Sequence, residues 1–370
     1  MTGGSDRPSL FSPFEHKTLS LRNRFCMAPM TRQKSPGGVP TDEVVKYYQR
    51  RARHGVGLII TEGTTVDHPV ASLAPDVPTF HGHEALAAWK HVVDAVHAEG
   101  GAVIPQLWHV GMARKPRTEP HPELPSHGPS GLVRPGKLKG HVMTQQDIDD
   151  VVGAFGRAAG EAKRLGFDGV ELHGAHGYLI DQFFWAGTNQ RDDAYGGSIE
   201  ARARFGVEIV RAVREAVGPD FAVVLRFSQW KQQDFAARLA TTPQELERFL
   251  SPLSEAGVDI FHCSTRRFWE SEFPEQSDEN LAGWTRRLTG KPVITVGSVG
   301  LDGEFIASFV GQGSRRVGIE QLEERFERGE FDLVAVGRAL LQDPEWVEKV
   351  QQGRVDEIRD YDAASREVLY

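Results

Sequence analysis

Eight short apolar, β-branched runs, each followed by a stretch with helical spacing, recur along the chain and constrain its fold more than any other feature. They are Phe25–Ala28, Val56–Thr61, Ala102–Leu107, Gly169–Leu172, Phe221–Phe227, Val258–Cys263, Val293–Val296 and Leu333–Val336. Runs of this length, mostly closed by small or polar residues, read as strands buried on both faces. The clearest helix between them is 145–165, where Ile148, Val151, Val152, Phe155, Ala159, Ala162 and Leu165 recur at three- and four-residue spacing. Start signals agree: Thr242-Pro-Gln-Glu245 reads as a capping box with Pro243 at the first helical position, Asp343-Pro344 offers a similar start, and Thr41 and Thr144 head two more helices. Eight strand-then-helix units without a long linker or a break in composition predict a single α/β domain over residues 1–370, a parallel (β/α)8 TIM barrel rather than two doubly wound domains.

Two connections are oversized. Residues 108–142 follow the third strand and hold six prolines, and 266–280 follow the sixth with Phe268, Trp269 and Phe273. Loops after barrel strands sit at the active face, so 108–142 is a lid candidate, the other reading being a surface insertion. Its basic residues, Arg114, Lys115, Arg117, Arg134, Lys137 and Lys139, suit the phosphates of a nucleotide.

Charge and cysteines narrow the function classes. With 43 Lys+Arg against 51 Asp+Glu the chain carries a net charge of −8, which offers nucleic acid and anionic membranes no general attraction. Cys26 and Cys263, the two cysteines, each lie in a predicted strand and leave no disulfide framework and no thiolate cluster for zinc or iron–sulfur. The opening MTGGSDRPSLFSPF lacks the pattern of a signal peptide, and no apolar run is long enough to span a bilayer, so a cytoplasmic enzyme of small molecules, possible as a homo-oligomer, is expected.

The segment richest in chemistry is Glu171-Leu-His-Gly-Ala-His-Gly-Tyr178, at the end of the fourth strand. His173 and His176 can point N–H donors at one oxygen and stabilise charge developing there, and Tyr178 can give up its phenol proton. A metal reading with Glu171, His173 and His176 lacks a second ligand pair at metal spacing, so no metal is expected. After strands seven and eight, Val296-Gly-Ser-Val-Gly300 and Val336-Gly-Arg338 bring Gly297, Ser298, Gly337 and Arg338 to where barrels hold phosphate. No G-x-G-x-x-G or Walker motif accompanies them.

Four ordered motifs carry a family resemblance. Asn23-Arg-Phe-Cys-Met-Ala-Pro-Met-Thr-Arg32, Gln106-Leu-Trp-His109, His173-Gly-Ala-His-Gly-Tyr178 and Asn189-Gln-Arg-Asp-Asp-Ala-Tyr-Gly-Gly-Ser-Ile-Glu200 resemble the Old Yellow Enzyme family of FMN-dependent reductases, and the match continues through Arg226 and Gly337-Arg338 to Asp343-Pro-Glu-Trp346. The resemblance implies FMN across the top of the barrel, with Pro29, Met30 and Thr31 along its ring, Gln106 and the backbone around Gly63 at the pyrimidine edge, and Arg226 beside N1/O2. It implies that NAD(P)H supplies hydride, that His173 and His176 bind the carbonyl oxygen of an activated alkene, and that Tyr178 protonates the neighbouring carbon. Trp269 and Phe268 are candidates for substrate contact, with packing as the alternative. Arg226 in Val-Val-Leu-Arg-Phe suggests a buried anion, or else a barrel-bottom ion pair. The 189–200 segment reads as a structural Asn/Arg/Asp network, with Ala201 departing from the Asn common in the family. The leading function is reduction of activated C=C bonds of α,β-unsaturated carbonyl or nitro compounds. The alternatives are a flavin-dependent amine dehydrogenase or demethylase, a metal-dependent barrel hydrolase and a non-catalytic flavin-binding protein.

Overall fold

The computed structural model describes residues 9–370; residues 1–8, the start of the segment read for a signal peptide, lie outside it. All eight runs form strands, and they close in chain order into one parallel barrel: Phe25–Met27, Leu58–Thr65, Ala102–Trp108, Gly169–His176, Ala222–Lys231, Ile260–Ser264, Val293–Val296 and Leu333–Val336, the eighth pairing with the first. They are referred to below as strands one to eight. Strands two, four and five each run four residues further than the apolar pattern predicts. Their extensions carry site residues into the ladder, as where His173 pairs with Arg226 and His176 with Lys231.

The pleat sorts the side chains. Cys26, Leu58, Ile60, Ile104, Val224, Ile260, Ile294 and Leu333 fill the barrel, and Phe14, Leu19 and Leu21 of an antiparallel hairpin (Phe14–His16 with Leu19–Leu21) pack into the same cluster. Met27, Ile59, Val103, Val170 and Leu172 instead face the helices, meeting Val44, Trp89, Val151 and Phe155. This interior is a packed core, so ligand space exists only at the barrel's ends and among its loops.

The helix starts hold with three differences, one being that Thr41 stands at its N-cap position without a side-chain bond. Thr144 and Asp147 form a full capping box, whereas Glu245 turns its carboxylate to Thr241 instead of the Thr242 backbone. The helix after Asp343-Pro344 starts only at Trp346, because the Asp343 carboxylate is held by Lys349 at 2.8 Å and accepts from the Glu345 N–H.

Residues 108–142 carry little regular structure: a turn at Gly111–Ala113, a parallel pair His127–Gly128 with His141–Val142, and an antiparallel pair Leu132–Arg134 with Lys137–Leu138. Arg114 is buried and donates to the carbonyls of Thr118, His121 and Leu124, so it organises the insert instead of facing a phosphate. Arg191 pins the insert from outside, donating to Pro129 O at 2.8 Å and Met143 O at 2.7 Å, while Asn189 ties Phe183 and Tyr195 together. The 189–200 segment is therefore a scaffold, as its composition suggests. Among the described residues no helix is long and apolar enough to cross a membrane.

Candidate active site

A cavity of about 430 Å³ opens at the C-terminal ends of the strands, within the range of about 300–1,000 Å³ that holds cofactors and small ligands. Twelve of the fourteen expected residues line it. Pro29, Met30 and Thr31 come from the turn after strand one, Gln106 from strand three, His173 and His176 from strand four with Tyr178 just beyond, Arg226 from strand five, Gly297 and Ser298 from the turn after strand seven, and Gly337 and Arg338 from the turn after strand eight. Gly63 and Trp269 are not on this lining. Gly63 sits beside a bulge in strand two, where a Cβ would come within 2.5 Å of the Trp108 ring. Trp269 packs edge-on to Phe268 and gives its carbonyl to Arg325. No residue of 108–142 lines the cavity among those described, whereas Trp230, Gln232, Tyr361 and Arg366, unread from the sequence, do.

The His173–Tyr178 motif leaves strand four through a strained turn. His176 (φ 64°) and Gly177 (φ 79°) are consecutive left-handed residues, a conformation that costs a histidine of order 1–3 kcal/mol. The surroundings over-determine it: the His176 N–H donates to Ser228 Oγ, and the Gly177 N–H donates to Asp181 Oδ2 at 2.7 Å. Asp181 is itself fixed by Lys231 at 2.6 Å, both side chains being fully buried. This turn aims His176 and Tyr178 back over His173. Ring centroids lie 5.2 Å apart for His173 and His176 and 4.9 Å for His173 and Tyr178. Trp108 stacks on His173 and Trp230 on His176, so neither imidazole can swing away.

Burial, and then the nearby Arg226 charge, holds both imidazoles well below the usual histidine pKa, so each is neutral. Burial pushes the Tyr178 phenol upward, outweighing the Gln232 bond. Gln232 Nε2 donates to Tyr178 Oη at 3.1 Å, which leaves the phenol proton free for a third party. Below them Gln106 donates to Glu171 and His262 shares the other Glu171 oxygen at 2.6 Å, a buried layer that holds Arg226 near a carboxylate.

Residues 9–357 match the model of the NADH:flavin oxidoreductase / NADH oxidase family. The chain belongs to this family. It is 36% identical over 362 residues to an NADH oxidase of Thermoanaerobacter brockii, covering 95% of this chain and 52% of that protein, and thus spans about half of that relative. It is 35% identical over 362 residues to 12-oxophytodienoate reductase 7 of Oryza sativa subsp. japonica, covering 92% and 87%. Among solved structures, morphinone reductase in complex with tetrahydroNAD superposes with a TM-score of 0.81 at 30% identity, covering 97% of this chain and 94% of that one. The Old Yellow Enzyme resemblance of the motifs agrees with these, and the chain is an FMN-dependent oxidoreductase with a nicotinamide reductant.

The residues present suit the flavin of this family. Arg226 Nε and His173 Nδ1 are buried without a hydrogen-bond partner, an expensive state unless a polar group covers them. Arg226 Nη2 reaches Ser264 Oγ at 3.1 Å, so the arginine stands at the cavity and not in a barrel-bottom ion pair. Arg338 is locked by Ser298 Oγ at 3.1 Å and by the Glu304 and Gly303 carbonyls, next to Gly297 and Gly337, where phosphate was expected.

Glu62, which the sequence reading passed over, holds part of the cavity wall from behind. Its Oε2 accepts the N–H groups of Arg32 (2.8 Å) and Gln33 (3.1 Å), fixing the segment that follows Pro29, Met30 and Thr31, while Tyr48 Oη accepts the N–H of Glu62. Burial pushes its carboxyl from 4.5 up to about 7, against the pull of those two N–H donors. The folded pKa lies above the unfolded one, so the folded state favours the protonated form. Stability is therefore highest at low pH on this account and falls as pH rises from about 4.5 through 7, by on the order of 3 kcal/mol. Glu62→Gln keeps the accepting oxygen and removes the titration. The variant should lose less thermal stability than the parent between pH 5 and pH 8; parallel melting profiles would show that Glu62 does not titrate there.

Proposed function

We propose that this family member reduces the activated C=C bond of α,β-unsaturated carbonyl or nitro compounds. The observation that carries the reading is the convergence of two neutral imidazoles and one protonated phenol on a single water-poor face of the cavity. FMN, which Gln106, Arg226 and the Gly297–Ser298 and Gly337–Arg338 turns would hold, would supply hydride chemistry with NAD(P)H as the reductant.

His173 and His176 bind the substrate oxygen. Arg226 donates to Ser264 Oγ, and Ser264 lies 2.8 Å from His176 Nε2. With the serine hydroxyl donating to Nε2, the neutral ring of His176 keeps its proton on Nδ1, as a donor. Two such donors strengthen as negative charge builds on the oxygen, which favours the transition state over the ground state. Tyr178 gives its proton to the carbon next to the carbonyl, held in aim by Gln232 and by the 176–177 turn. Arg226 keeps a positive charge beneath the reacting atoms without spending it on an ion pair.

An amine oxidation on the same barrel would use an acceptor of protons; here burial makes both imidazoles weak bases and keeps the phenol protonated. The test is a pair of anaerobic measurements on the flavinated protein. Reduction by NAD(P)H followed by reoxidation with cyclohexenone, yielding cyclohexanone, is expected. No reoxidation by cyclohexenone, together with flavin bleaching by a methylamine, would overturn the reading in favour of C–N oxidation.

A further inference from the structure

The structure assigns a second site, outside the cavity: a divalent transition-metal site of the zinc class formed by His127, His141 and Asp147. His127 and His141 are directly opposed in the short parallel pair of the insert, with ring centroids 4.6 Å apart. Asp147 faces both from the first turn of the helix Gln145–Leu165. One ligand atom from each of the three lies within 4.8 Å of the others. Backbone pairing and a helix start thus bring together three groups that are 14 and 6 residues apart in sequence, on three different elements.

The free valences point the right way. Asp147 Oδ2 is taken by His141 at 2.8 Å and by the Thr144 N–H and hydroxyl, but Oδ1 meets only His127, 4.0 Å away. His127 Nδ1 is buried and has no hydrogen-bond partner. A tetrahedral zinc ion with bonds of about 2.0–2.1 Å needs its ligand atoms about 3.3 Å apart, so a shift of about an ångström in the rings closes the set. His141 and Asp147 remain partly exposed, leaving a fourth position for water.

Behind the trio stands a file of neutral imidazoles. The Gly111 N–H donates to His109 Nδ1, so buried His109 carries its proton on Nε2 and donates it to His68 Nδ1 at 2.9 Å. The His68 ring then meets His127 edge-on at 5.3 Å. This file fixes where His127 stands, as outer partners commonly do for metal-bound histidines. A cation here would clip the 108–142 insert to the start of its own helix.

The experiment uses untagged, flavinated protein stripped with a chelator. Zn2+ titration by calorimetry should show one cation per chain, and Co2+ should give intense tetrahedral d–d bands at wavelengths beyond oxidised flavin. His127→Ala and His141→Ala should each weaken binding at least tenfold. Zn2+ should raise the unfolding temperature of the parent but not of the double variant, which should keep its flavin and turnover. Equal uptake by parent and double variant would overturn the site. Should the double variant not fold, the parent's Co2+ spectrum decides alone: weak octahedral bands or none would refute a site of this geometry.

Discussion

Tyr178→Phe should leave flavin reduction by NAD(P)H nearly intact and slow alkene reduction by about 10²–10⁴-fold, the range for removing a general acid. The expectation rests on the geometry around one oxygen. Tyr178 Oη receives Gln232 and is buried at the cavity wall, so its proton has one direction in which to go. Phenylalanine keeps the ring packed edge-on against Trp108 at 4.8 Å and removes only the hydroxyl. Stopped-flow traces of the two half-reactions separate the outcomes. Equal slowing of both would assign Tyr178 to nicotinamide binding and not to proton transfer. Nitro substrates that need no carbon protonation at that point should be affected less.

Replacing His173 and His176 by Ala should abolish phenolate binding. If two neutral imidazoles aim N–H groups at one point, that point favours an oxyanion, and a phenol should bind there with its pKa lowered. Against the oxidised flavin the phenolate should give a broad long-wavelength absorbance that neither component shows alone. Each charge-assisted donor is worth about 1.5–3 kcal/mol, so each alanine should weaken binding about tenfold to a hundredfold. Titration with para-substituted phenols checks this. A parent protein that binds phenol without a new band would contradict the oxyanion site.

The barrel was legible because its strands are continuous apolar runs, a pattern that survives without any tertiary information. The strand ends were not: His173, His176 and Lys231 continue the ladder in polar residues, and polarity there reads as a stop. Cavity residues belonging to recognisable motifs, such as Pro29–Thr31 and His173–Tyr178, were visible as sequence. Glu62 was invisible because it stands alone just past the end of an apolar run, and its partners, the Arg32 and Gln33 backbone and the Tyr48 hydroxyl, are brought to it only by folding. His262 was hidden for the same reason, paired with Glu171 from two strands away. The expectation of no metal was drawn from ligand spacing along the chain, whereas His127, His141 and Asp147 meet through strand pairing across a proline-rich insert. Trp269 was open to two readings, contact with substrate or packing, and the fold seats it edge-on against Phe268.

The left-handed backbone at His176 also bears on heredity. Among residues with a side chain, Asn, Asp and His enter that region far more readily than others, and β-branched ones scarcely at all. A mutation at this position is thus screened by a dihedral angle before any substrate arrives. Threonine, which could offer a hydroxyl to the same oxygen, is barred by its shape, while asparagine is admitted. The alphabet open to drift at this wall of the pocket has been cut to a few polar letters by the turn, so a lineage can retune its substrate there without first having to reinvent its fold.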